Sequence, residues 1–138
     1  MKNKLNVIFL ITLSLIGAPV LLAHHGSAIY DNTKTLILQG TVTEWSWTNP
    51  HCLLEFDVTD DKGTTVHWVA EVSNPTDMVN LGWSKNMFKP GDKVTVTTTP
   101  AKNGQPIGAI KAVEVNGKTF KGVGLGPRPG FGDGAGKP

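Results

Sequence analysis

Cys52-Leu53-Leu54-Glu55-Phe56-Asp57-Val58-Thr59, then Asp60-Asp61-Lys62-Gly63-Thr64, then Thr65-Val66-His67-Trp68-Val69-Ala70-Glu71-Val72 is the stretch that decides the fold. Cys52, Leu54, Phe56 and Val58 alternate with Leu53, Glu55, Asp57 and Thr59, and Val66, Trp68, Ala70 and Val72 alternate with Thr65, His67, Val69 and Glu71. Successive side chains of a strand point to opposite faces, so each run is a half-buried strand. Between them Asp61-Lys62-Gly63 reads as a three-residue hairpin loop, with Gly63 in the left-handed conformation that glycine adopts without a Cβ clash. That loop fixes a register in which Phe56 faces Trp68 in the core and Asp57 faces His67 outside. Cys52, the single cysteine, then points inward as an inert thiol and leaves no disulfide to form within the chain.

Upstream, Trp45-Ser46-Trp47-Thr48-Asn49-Pro50-His51 holds two of the four tryptophans, a turn and a candidate ligand. Asn supports side-chain turns, Pro fixes its own φ, and the residue before Pro is kept out of helix, so the chain reverses at Thr48-Asn49-Pro50. Before the turn, Leu36, Leu38, Gly40 and Val42 alternate with Ile37, Gln39, Thr41 and Thr43 as a first strand. Gly40 marks a bulge or bend there, and the parity shift turns Trp45 and Trp47 toward the core despite their odd numbering. Core packing is the first reading of these tryptophans; a ligand-stacking platform made of Trp45, Trp47 and Asn49 is the alternative.

Downstream, Ser73-Asn74-Pro75 supplies caps for a helix of one or two turns over Thr76 to Leu81, which Gly82 ends. Trp83 is an anchor, and Ser84 starts a further turn through Phe88. Lys89-Pro90-Gly91-Asp92 turns into a fourth strand with Val94, Val96 and Thr98 on one face, and a loop containing Asn103-Gly104 precedes a fifth strand, Ile107 to Val115. That strand ends at Asn116-Gly117, with Phe120 as a last apolar anchor. Three strands, a short helix and two strands give the order of a mainly β, OB-fold-like five-stranded antiparallel barrel with one helix between strands 3 and 4. An open sandwich shares the short strands but leaves the helix unexplained. Residues 121 to 138, rich in Gly and Pro, bury too little apolar surface to offset the entropy of ordering and read as a flexible tail.

The chain's start reads as an address. Lys2 and Lys4 precede an apolar run from Leu5 to Ile16, and Gly17 to Ala23 supplies a helix breaker and a small residue at the cleavage point, so residues 1–23 read as a secretory signal peptide. The run is short for the roughly 20 residues of a spanning helix, which argues against a retained anchor and against stable membrane insertion after cleavage. Losing Lys2 and Lys4 leaves 11 basic against 11 acidic side chains, a balance that argues against nucleic-acid or anionic-membrane binding. The remaining chain, about 115 residues, suffices for one core: an N-terminal arm over 24–35 and a barrel domain over 36–120. The expected location is the periplasm or the medium.

His24-His25-Gly26-Ser27, Gly40-Thr41-Val42, Trp47-Thr48-Asn49-Pro50-His51, Gly82-Trp83 and Lys89-Pro90-Gly91-Asp92 together resemble a family of small exported bacterial proteins of unknown function. The resemblance implies export and a small β fold, and no activity.

The chemistry that can be argued rests on histidines. A chain that begins at His24 carries a free α-amine and an imidazole on one residue, and these two nitrogens chelate one metal. A third nitrogen from His51, with His25 as substitute or additional ligand, completes a nitrogen set suited to Cu(II). There is no nucleophile motif, no phosphate-cradling loop and no pair of acids placed on one cleft, so no enzymatic activity is expected. The expected function is carriage, sensing or buffering of copper; the alternative is a non-enzymatic binding module that offers its tryptophan-rich face to a peptide, a glycan or a periplasmic protein partner.

Overall fold

The computed structural model describes residues 28–123 and residue 125. The elements run β1 (Leu36–Ser46), β2 (Cys52–Thr59), β3 (Thr65–Val72), α1 (Pro75–Val79), β4 (Lys93–Pro100), β5 (Ile107–Val115) and β6 (Lys118–Lys121). Strands β3-β2-β1-β4-β5 are antiparallel neighbours in that order, and β3 returns to β5 from Val69↔Ile107 to Glu71↔Ala109. The expected five-stranded barrel with its short helix is therefore present, and its ring is mixed: the closing seam is parallel. A parallel pair needs a crossover connection, and the path through α1 and β4 supplies it. Outside the ring, β6 pairs with β5 across a two-residue turn at Asn116-Gly117, where both residues take positive φ (51° and 73°) as a type I′ hairpin requires.

The hairpin register is the expected one, with Phe56 opposite Trp68 and Asp57 opposite His67. The Asp60 amide donates to the Thr64 carbonyl at 2.9 Å, which leaves Asp61-Lys62-Gly63 as the loop, with Gly63 at φ 82°. The Asp60 carboxylate accepts from the amides of Lys62 and Thr64, so the turn is pinned from inside. On α1, Asn74 caps the helix by accepting from the Asp77 amide, and Pro75 occupies the first turn where no N–H is needed. The Leu81 and Trp83 amides both reach the Met78 carbonyl, and Gly82 at φ 84° makes that reversal. Met78, Trp83 and Phe88 thereby join Val42, Leu54 and Phe56 in one buried cluster.

The bulge lies at Thr43 and not at Gly40. Val42 opposes Phe56 while Glu44 opposes Glu55, so Thr43 is the extra residue, and the parity shift places Trp45 opposite Leu54 on the core side. Gly40 is required for a different reason. A Cβ there would lie 2.7 Å from Phe56 Cδ2 and 2.8 Å from the Asp57 carbonyl oxygen, distances that force a core ring or a backbone to move. Gly40→Ala is expected to destabilise the barrel by roughly 1–3 kcal/mol, the usual cost of overpacking. A thermal melt followed by circular dichroism checks this, and an unchanged midpoint would show that Phe56 yields freely.

Candidate functional site

The outward parity of β2 extends back to His51, whose side chain is 29% exposed and whose Nδ1 lies 3.0 Å from Glu71 Oε2. Glu71 opposes Leu53 across the β2–β3 ladder, so it is the diagonal neighbour of residue 51 on the same face. Its other oxygen, Oε1, accepts the Tyr30 hydroxyl. Tyr30 is 2% exposed and bridges to Ala101. Around it the Asp31 amide donates to the Pro100 carbonyl and the Lys102 amide to the Ile29 carbonyl, both at 2.9 Å. The Lys102 Nζ also reaches the Ala28 carbonyl. The described end of the arm is thus paired along residues 100–102, and one carboxylate joins it to His51. Burial first, then the hydrogen bond to Glu71, pushes the Tyr30 phenol pKa far above its ordinary value, so this hydroxyl remains a donor at physiological pH.

His24 and His25 lie outside the described residues, as do the expected signal peptide and most of the expected tail. Among the described residues no group of three or more His, Cys, Asp and Glu side chains is placed to hold a metal ion. Sequence reasoning placed Glu71 on the outer face and connected neither it nor Tyr30 with His51. The register alone carries that signal for Glu71, because Cys52↔Val72 and Leu53↔Glu71 put residue 51 beside it.

Trp45 and Trp47 pack on the core with ring centroids 5.7 Å apart. Trp45 also meets Trp83 at 5.8 Å and the edge of Phe88 at 5.1 Å, and its Nε1 donates to the Ser84 carbonyl. These contacts occupy most of the indole in packing, while Asn49 is exposed at the turn. Cys52 is fully buried, and burial pushes its thiol pKa up. An open polar groove of about 550 Å³, lined among others by Gln39, Thr41, Asp57, Lys93 and Glu114, lies over β1, β2, β4 and β5 and excludes His51.

Farther along the same hairpin, His67 stands between two carboxylates, with Nδ1 2.8 Å from Asp57 and Nε2 3.2 Å from Glu55. The Asp57 hydrogen bond, then that to Glu55, raises its pKa. A raised pKa means that this stabilisation is full below the unfolded imidazole value of about 6.5 and is lost as pH rises through the folded value. Asp57→Asn should lower the His67 midpoint in an NMR titration, by a small amount because the ring is half exposed. Identical midpoints would remove Asp57 as the cause.

Comparison with known proteins yields one family. Residues 13–111 match the model described as a family of unknown function (DUF6152). No curated protein and no solved structure matches.

Proposed function

The chain belongs to that family, which has no activity to carry over, and we propose from its own residues that it is an exported periplasmic protein that binds one Cu(II) through His24 and His51. The observation that supports this reading is the shared carboxylate: Glu71 holds His51 with one oxygen and the arm's Tyr30 with the other. Tyr30 lies six residues after His24, and six residues span at most about 20 Å. That span is long enough for His24 to meet His51 while Tyr30 stays seated.

Cleavage after Ala23 gives His24 an amine and an imidazole nitrogen that close a six-membered chelate ring with a metal. His51 adds a third nitrogen, and His25 serves as substitute or additional ligand. Three nitrogens suit Cu(II) better than the hard oxygen-seeking cations. The site forms only once the leader has been removed, which ties metal loading to export. Carriage, sensing or buffering of copper fits this set, and the reading is non-enzymatic. The tryptophan-face alternative is weakened by the packing that Trp45 has already made.

A native mass spectrum of the exported protein, with and without added copper, tests the proposal. The expected result is a mass beginning at His24 and one copper per chain. A chain that starts elsewhere, or one that takes up no copper, overturns it.

A further inference from the structure

We infer that Glu71 is the positioning residue of this site: it fixes the His51 ring so that Nε2 is the ligand atom, and through Tyr30 it couples the seat of the arm to that ring. The metal in this inference rests on the copper reading above; the orientation of His51 does not. A neutral imidazole carries one N–H, and the nitrogen beside a carboxylate is the one that keeps it. With Nδ1 3.0 Å from Glu71 Oε2, the proton sits on Nδ1 and the lone pair on Nε2. Among the described residues, Nε2 makes no hydrogen bond that competes for that lone pair.

Glu71 is itself held. It stands on the parallel seam of the barrel, opposite Leu53 on one side and paired with Ala109 on the other. Its side chain is 18% exposed, and its second oxygen accepts the hydroxyl of a tyrosine that is 2% exposed. A swing of the carboxylate toward a metal would leave that buried hydroxyl unpaired, which is costly. Glu71 therefore orients a ligand and does not become one. A histidine ligand whose other ring nitrogen donates to a carboxylate is more basic and has a fixed orientation, and removal of such a partner costs roughly 10–100-fold in metal affinity.

The bridge also makes arm and ring interdependent. Coupling between two events is reciprocal, so a metal that engages His51 also favours the seated arm, and loss of the Tyr30 hydroxyl weakens metal binding although Tyr30 is no ligand.

Nitrogen-detected NMR of the metal-free mature protein, at a pH where the ring is neutral, reads the His51 tautomer directly. The expected result is Nδ1–H in the native protein and a shift toward Nε2–H in Glu71→Leu, which keeps the volume and removes the acceptor. Glu71→Gln, which keeps a weaker acceptor, should fall between. Copper titration should give a roughly 10–100-fold loss for Glu71→Leu and a smaller loss for Tyr30→Phe, with the amide spectrum of the barrel unchanged in each. An Nε2–H tautomer in the native protein overturns the inference, and that measurement needs no variant to fold. Equal copper affinity in native protein and Tyr30→Phe overturns the coupling. A locked Nδ1–H tautomer in a protein that binds no copper upholds Glu71 as the orienter of His51 and overturns the copper reading instead.

Discussion

Trp83→Ala is expected to cost about 3–5 kcal/mol, the range for emptying a large aromatic site in a core. Trp83 is 2% exposed and has edge contacts with Phe88 at 5.8 Å and Phe120 at 6.3 Å. Burial of an indole removes roughly 150–250 Å² from water, and the adjacent Trp45 is held in place by Trp47, Phe88 and the Ser84 carbonyl. The indole also ties two elements together: its Nε1 donates to the Lys121 carbonyl at 2.8 Å at the end of β6, while its amide closes the turn after α1 on Met78. In a domain of this size each kcal/mol moves the thermal midpoint by roughly 4–8 °C, so the melt should shift by more than about 12 °C. Hydrogen exchange should show β6 losing protection before the ring strands. Trp83→Phe retains an aromatic body and loses the Nε1 bond, and should fall well short of the alanine variant. A midpoint within a degree or two of the native one would show that the aromatic cluster is an ornament on the barrel.

The barrel was legible where local signals agreed. In the β2–β3 hairpin, two-residue alternation, the Asp60 to Gly63 turn chemistry and the pairing of Phe56 with Trp68 all specify one register, and a slip of one residue would turn every apolar side chain outward. That same register carried the Asp57–His67 contact. The parallel seam was not legible, because Val69 to Glu71 meets Ile107 to Ala109 with no turn between them to announce it. Lys118-Thr119-Phe120-Lys121 carries one apolar residue, too little periodicity to declare β6. Gly40 shows a further limit: a bulge and a close backbone approach both select glycine, and the composition is the same whichever one the fold uses, while the true bulge at Thr43 has no compositional mark. At the site, His51 stood out through its Asn-Pro turn. The meeting of Tyr30 with Glu71 depends on the arm pairing with residues 100–102, a contact between segments about 70 residues apart.

His51→Ala and an extra residue placed before His24 should each weaken Cu(II) binding by more than the roughly 10–100-fold that an outer-shell partner costs, because each removes a ligand of the proposed site. The two losses have different causes. The added residue converts the α-amine into an amide, which breaks the chelate and leaves the His24 imidazole without its partner nitrogen. His51→Ala keeps the chelate and removes the nitrogen that the fold has positioned in advance. Neither change should disturb the barrel, since His51 is 29% exposed and water can take its place at Glu71. Affinity should fall as the pH is lowered, because protons compete with the metal for the ligand nitrogens. Truncation after Val123 should leave binding intact, because no proposed ligand lies beyond it, and it keeps the Lys121 carbonyl that Trp83 needs. Isothermal calorimetry on the four proteins decides the matter. Distinct losses for the blocked amine and for His51→Ala support one site built from both ends, whereas equal affinity in the native, amine-blocked and His51→Ala proteins eliminates it.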